Sequence, residues 1–295
     1  MHVLDSIEAL RAARRALVGT VAFVPTMGYL HEGHLSLMRA GLQRCDHLIV
    51  SIYVNPTQFG PNEDLSRYPR DPQGDRLRCE REGCALLFMP SNAEMYPTGH
   101  ATHVSVSGLT EGLCATSRPG HFEGVATIVT KLFNIVQPDV ALFGEKDYQQ
   151  LAVIRRLVRD LDLTTEIVGC PIVREDDGLA MSSRNRFLQP EDRLPARSLH
   201  AALSLAADAW AGGERDAGQL VELARTHIER HDGARVDYIE CVHPENLRAH
   251  ERGRLIATDE GAIMALAVFV GSTRLIDNMR LDGPTHDRPA DRAQP

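Results

Sequence analysis

From Thr20 to about residue 170, short β-branched apolar runs alternate with segments whose apolar residues recur at helical spacing. That alternation restricts the possible folds of this chain more than any other feature. Thr20–Val24, His47–Val54, Ala85–Met89, Val140–Phe143 and Thr165–Val168 read as strands. A segment following His34, then Asp71–Glu82, Glu123–Val136 and Tyr148–Asp160, read as helices; in the third of these Val125, Ile128, Val129, Leu132 and Ile135 share one side. Strands interleaved with helices predict an α/β fold with a doubly wound, mostly parallel sheet. Ligands of such sheets bind beyond the carboxyl ends of the strands.

The pattern changes after about residue 175. Two helices are predicted near 191–212 and 215–231, followed by strands at Arg235–Val242, Leu255–Thr258, Ile263–Val270 and Arg274–Asn278. The expected organisation is a first domain over 1–174 and a smaller C-terminal α+β domain over 175–282. The polar, proline-containing stretch 283–295 is expected to be disordered. At the N-terminus Val3, Leu4, Ile7 and Leu10 fall at helical spacing, with Asp5 and Glu8 between them. This reads as a surface helix rather than a targeting peptide.

Composition narrows the function. The net charge is −8, without the basic footprint of a protein that grips DNA or RNA. No apolar run approaches the ~20 residues of a membrane span, so a cytoplasmic location is expected. Cys45, Cys79, Cys84, Cys114, Cys170 and Cys241 are scattered, with no C-x-x-C pair, and read as reduced core residues. His100, His103 and His121 lack a fourth ligand at suitable spacing for a metal. Among 32 basic residues only Lys131 and Lys146 are lysines. A lysine kept where arginine otherwise serves suggests a site that needs a compact ammonium.

Three polar turns follow predicted strands, on one rim of the sheet. The first carries His31-Glu32-Gly33-His34 at the start of a helix. A helix N-terminus presents free N–H groups and partial positive charge to an anion. Histidines three residues apart can meet the same anion, and Gly33 would let it approach the backbone. The tetrapeptide resembles the HIGH motif of Rossmann-like nucleotidyl-transferring enzymes, which grip the phosphates of ATP. Taken alone, it also suits two histidines at an exposed helix end. The second turn is Asn55-Pro56-Thr57-Gln58-Phe59 and the third Gly144-Glu145-Lys146-Asp147.

Together with Pro25–Leu30, Tyr68-Pro69-Arg70, Arg118-Pro119-Gly120-His121-Phe122, Gln149-Gln150 and Met181-Ser182-Ser183-Arg184-Asn185, these motifs give nearly the whole chain a resemblance. It resembles the pantothenate synthetase (pantoate–β-alanine ligase) family. The resemblance implies an AMP-forming ligase of the route to coenzyme A. Pantoate would attack the α-phosphorus of ATP to give pantoyl adenylate and pyrophosphate, and β-alanine would then displace AMP. It implies ATP with Mg2+ as substrate, no tightly bound organic cofactor, and a cytoplasmic homodimer with no nucleic-acid or membrane partner. It assigns His34 as proton donor and Lys146 as a charge on the phosphates. The nucleotide would be bound by Met27, Gly28, Tyr29, Leu30, His31, Glu32, Gly33 and His34. Gly144, Glu145, Lys146, Asp147 and Val173 would join them, with Met181, Ser182, Ser183 and Arg184 as a KMSKS-like loop from the second domain. Gln58 and Gln150 would bind pantoate, and Gln58 also β-alanine. The residues implied to hold a metal stay unknown. A nucleotidylyltransferase of the same fold and a nucleic-acid-binding synthetase relative remain as alternatives.

Overall fold

The computed structural model describes residues 1–61, 63–257 and 259–282; the expectation for residues 283–295 lies outside them. The strands are β1 (His2–Leu4), β2 (Val21–Thr26), β3 (His47–Ile52), β4 (Leu86–Phe88), β5 (Val140–Gly144), β6 (Glu166–Cys170), β7 (Ala234–Val242), β8 (Ile263–Val270) and β9 (Thr273–Arg280). The helices are α1 (Ile7–Ala16), α2 (Glu32–Leu42), α3 (Pro72–Arg81), α4 (Asn92–Met95), α5 (Cys114–Ser117), α6 (His121–Val136), α7 (Tyr148–Asp160), α8 (Arg193–Ala211) and α9 (Ala217–Glu229). None of the described helices is long and apolar enough to cross a membrane.

The chain divides into two compact units, one formed by Met1–Val173 with Met181–Arg186, the other by Arg174–Ala180 with the chain from Phe187 onward. In the first, β1 to β6 form a parallel sheet of order β1-β4-β3-β2-β5-β6. Strand side chains alternate between faces. Val21 and Phe23 of β2 pack in a core with Leu10 of α1, Val129 and Phe133 of α6 and Ile154 of α7. Ala22 and Val24 pack in the opposite core with Leu37 and Met38 of α2 and Cys79 of α3. Helices therefore cover both faces, as the strand–helix alternation predicts. Strand order runs outward in one direction from β2 through β3 and in the other through β5. The switch point lies between β2 and β5, where a crevice opens at their carboxyl ends.

Two expectations of secondary structure fail. Val3 and Leu4 are not helical: they pair with Leu87 and Phe88 as the sheet edge. The helix begins only at Ile7, after Ser6 caps it by accepting from the Ala9 N–H at 3.3 Å. Leu255 forms only an isolated bridge with Asp216, so the strand expected at Leu255–Thr258 is absent over its described residues.

In the second unit β7, β8 and β9 form an antiparallel sheet. Alternate residues Met264, Leu266 and Val268 meet Leu199 and Leu203 of α8 and Leu220 and Ala224 of α9 in one core. Arg174 makes a two-pronged pair with Asp277, at 2.7 and 3.1 Å, that is almost wholly buried.

Candidate active site

Strand β2 leads into a backbone turn that needs glycine at position 28. Gly28 has φ +84°, and a Cβ there would lie 2.9 Å from Ile52 and 3.0 Å from the Asp75 carboxylate. Tyr29 follows, also left-handed at φ 51°. Such a turn costs free energy unless its surroundings hold it. Asp75 of α3 does so: Oδ2 accepts from Tyr29 N–H at 2.8 Å and Oδ1 from Leu30 N–H at 2.7 Å. Asp75 is 1% exposed. Burial raises its carboxyl pKa, and the two N–H bonds pull it only partly back.

The turn delivers the N-terminus of α2. His31 is its N-cap, and the His31 and His34 rings lie 4.1 Å apart. The His31 backbone N–H donates to His34 Nδ1 at 3.3 Å. A backbone N–H cannot accept, so a neutral His34 carries its proton on Nε2. Burial, then the charges of His31 and Lys146, hold the His34 pKa well below 6.5. Gly33 leaves room for a neighbour: an added Cβ would stand 3.0 Å from the His31 ring.

After β3, the 3-10 turn Pro56–Gln58 presents Gln58. Its amide orientation follows from its partners. The Gly124 carbonyl only accepts, so Asn55 turns Nδ2 toward it, at 3.1 Å, and the same Nδ2 donates to Gln58 Oε1 at 3.1 Å. Gln58 therefore directs Nε2 the other way, 3.1 Å from Met27 Sδ. Tyr96 Oη closes the arrangement, donating to Asn55 Oδ1 at 2.9 Å.

Strand β5 ends at Gly144, and Lys146 and Asp147 follow on a 3-10 turn before α7. Lys146 Nζ lies 3.7 Å from Asp147 Oδ2. The adjacent glutamines separate: Gln149 is buried and holds the Leu109 and Gly112 carbonyls and the Cys114 N–H, whereas Gln150 faces a cavity. Met181 N–H donates to the Val173 carbonyl at 2.9 Å, Ser183 Oγ to the Tyr29 carbonyl at 3.3 Å, and Arg184 pairs two-pronged with Asp64 at 2.8 and 2.9 Å. Burial opposes the charge on Asp64, but the Arg184 hydrogen bonds keep its pKa below the usual range. The Met181–Arg186 segment thus packs with the first unit, not the second from which a closing loop was expected.

A cavity of about 220 Å³ at the switch point gathers His31, Gly33 and His34 from the first turn, with Met27 before them. Gln58 comes from the second; Gly144, Lys146, Asp147 and Gln150 from the third; Val173 and Met181–Arg184 complete the wall. Five expected nucleotide-binding residues lie elsewhere. Leu30 is in the core, Glu32 pairs with Arg39 on the surface, and the Tyr29 ring lies under Arg186. Glu145 reaches toward Gly169. Gly28 lines a wider cleft of about 840 Å³ that shares Met27 and Tyr53 with the cavity. Of these two, the smaller cavity combines histidine, lysine and glutamine. Asp75 and Asp64 were not expected from the sequence: Asp75 reads as an ordinary acidic residue in a first helical turn, and the Arg184 partner of Asp64 is visible only in the fold. The six cysteines are buried with free thiols. His121 bonds the Gln58 carbonyl, and no group of three or more His, Cys, Asp or Glu suited to a metal occurs among the described residues.

The family model for pantoate-beta-alanine ligase matches residues 2–280. Pantothenate synthetase from Moorella thermoacetica is 52% identical over 96% of this chain and 99% of its own length. Pantothenate synthetase from Syntrophotalea carbinolica is 54% identical over 92% and 93%. Among solved structures, pantothenate synthetase from Thermus thermophilus superposes with TM-score 0.90 at 44% identity, covering 96% of this chain and 100% of that one. Pantoate-beta-alanine ligase from Francisella tularensis, complexed with beta-gamma ATP and beta-alanine, superposes with TM-score 0.77 at 33% identity over 96% and 99%. The chain belongs to the pantoate–β-alanine ligase family.

Proposed function

We propose that the chain condenses pantoate with β-alanine at the expense of ATP, through pantoyl adenylate, giving pantothenate, AMP and pyrophosphate. The observation that carries the reading is the joining of two kinds of group in one cavity. A helix N-terminus with His31, His34 and the nearby Lys146 suits phosphate, and Gln58 and Gln150 suit a hydroxy acid. The family relatives supply the substrates.

In the first step a pantoate carboxylate oxygen bonds to the α-phosphorus as the bond to pyrophosphate breaks. Charge gathers on phosphoryl oxygens, so positioning and fixed donors do most of the work. Lys146 supplies a compact cation there. His34 is neutral and offers Nε2–H to a phosphate oxygen; it acts as a hydrogen-bond donor rather than as an imidazolium acid. Gln58, with Nε2 turned away from Asn55, offers a donor to a pantoate oxygen, and Gln150 offers a second amide. The backbone around Gly144 and Val173 meets the adenosine end. Ser182 and Ser183 offer hydroxyls. Arg184 reaches phosphate when the anion displaces Asp64. ATP would bring Mg2+ with it, which would neutralise charge on the phosphates beside Lys146. In the second step the β-alanine amine, having lost a proton, attacks the acyl carbon beside Gln58, and AMP leaves. The enzyme is read as a cytoplasmic homodimer without a nucleic-acid partner.

Pantoate labelled with ¹⁸O in its carboxylate tests the order of bond making. The attacking oxygen becomes the bridge to phosphorus and leaves with AMP, so AMP carries one label and pyrophosphate none. Unlabelled AMP contradicts the reading, because the carboxylate oxygen then never reached phosphorus; a final product that retains the nucleotide points to a nucleotidylyltransferase.

A further inference from the structure

The Arg118–Phe122 segment has no part in the steps above, yet it stands directly behind Gln58. The Pro56–Gln58 turn is three residues long and closed by one main-chain bond of its own, Phe59 N–H to the Pro56 carbonyl at 3.2 Å, in the poorer hydrogen-bond geometry of a 3-10 turn. Its support comes from α6. An added Cβ at Gly124 would lie 2.6 Å from Thr57 C and O and 2.7 Å from Gln58 N, so the turn rests flat on the helix backbone.

Two donors then converge on the Gln58 main-chain carbonyl: His121 Nδ1 at 2.9 Å and Arg118 Nη2 at 3.3 Å. Arg118 Nη1 lies 3.1 Å from His121 Nε2. A guanidinium only donates, so Nε2 accepts, and the ring proton of neutral His121 sits on Nδ1, aimed at the Gln58 oxygen. Arg118 is itself held by Glu63, through Nε at 3.0 and 3.1 Å and Nη2 at 2.5 Å. His121 is 8% exposed. Burial, then the neighbouring Arg118 charge, depress its pKa to about 4, which keeps it neutral in this role.

We infer that Arg118 and His121 are positioning residues: they clamp the main-chain carbonyl of Gln58, with Glu63 orienting Arg118, so that the Gln58 amide meets pantoate at a fixed place. The inference rests on the placement of Gln58 in the pantoate site. Neither residue needs to touch the reacting atoms, because a displacement of about 1 Å at a substrate-positioning group is enough to slow a reaction severely.

Two substitutions at His121 isolate the contact. His121→Leu and His121→Asn both lose the acceptor for Arg118, so they share that structural loss. Only Asn keeps a donor near the former Nδ1. Steady-state kinetics should show pantoate KM raised about ten-fold in His121→Leu, with ATP KM nearly unchanged, and most of the loss recovered in His121→Asn. Glu63→Gln, outside the Arg118–His121 pair, should raise pantoate KM by a smaller factor and serves if the His121 variants fail to fold. Equal effects in the Leu and Asn variants, parallel rises in ATP and pantoate KM, or an unchanged pantoate KM in Glu63→Gln would each overturn the inference. A wild-type enzyme that consumes no pantoate overturns both this inference and the proposed function; an active wild type with any of those variant results overturns this one alone.

Discussion

In the proposed phosphate site Lys146 and His34, which line one cavity, would use opposite electrostatic strategies. The two lysines of the chain both lie near the site: Lys146 on the cavity wall, and Lys131 with Nζ 5.6 Å from the ring centre of Tyr96, whose hydroxyl holds Asn55. Replacing Lys146 by Ala should lower turnover on the order of 10²-fold, the loss typical of a preorganised transition-state donor. Lys146→Arg should also be impaired, because a planar fork does not reproduce a point charge. Pyrophosphate release measures both, and full activity in Lys146→Ala would remove the residue from the reaction. His34 differs because burial keeps its pKa well below 6.5. A group neutral in the free enzyme throughout pH 6–8 adds no inflection there, so kcat/KM for ATP should be flat in that window as far as His34 is concerned. His34→Ala should melt within a few degrees of wild type while adenylate formation collapses. An inflection near 6.5 that disappears in His34→Ala would show that the histidine titrates as an acid.

Among the elements, α3 acts on the α2 N-terminus through a single side chain. Asp75 accepts from two consecutive N–H groups of the Gly28–Leu30 turn. Asn at this position has only one oxygen, so Asp75→Asn turns an NH2 toward one of those donors. The cost should be about 1–3 kcal/mol for a buried donor left unsatisfied, with ATP KM raised more than pantoate KM. Equal stability and unchanged kinetics would mean that the turn holds itself. The strands β2, β3 and β5 were legible in the sequence because buried parallel strands are continuous β-branched runs. Strand β1 was not, because it is three residues long and its apolar pair shares the spacing of the helix that follows. Leu255–Thr258 misled because Leu255-Ile256-Ala257 is a short apolar run, whereas in the fold only Ile256 of the three is buried, Leu255 is 69% exposed, and the one pairing is an isolated bridge to Asp216. The candidate cavity was legible where one turn supplies several of its lining residues, as with His31, Gly33 and His34 or Gly144, Lys146 and Asp147. It was illegible where a side chain acts across the fold: Asp75 and Tyr29 are 46 residues apart, and His121 and Gln58 are 63 apart.

For the molecule as a whole, buried groups around the site set two steps in stability against pH. His121 titrates near 6.5 when unfolded and is depressed to about 4 when folded. Between those values the unfolded chain binds a proton that the folded chain refuses. The stabilisation is therefore complete above pH 6.5, declines as the pH falls toward 4, and declines no further below it. The gap corresponds to about 3 kcal/mol. His34 is shifted in the same direction and steepens the same step. Glu63 and Asp64 are half-buried, which opposes their charge, but Arg118 and Arg184 hold both pKa values below the usual range. Their contribution is present above the ordinary carboxylate pKa and is lost only as the pH falls through the depressed values. Melting temperature measured from pH 8 to 3 should therefore fall first between 6.5 and 4, and again below 4. His121→Asn removes a titrating group from the first step, so its melting temperature should vary less with pH between 6.5 and 4 than that of wild type, while the lower step remains. If the variant kept the full wild-type slope between 6.5 and 4, His121 would not be held neutral behind Gln58, and the first step would have to come from other histidines.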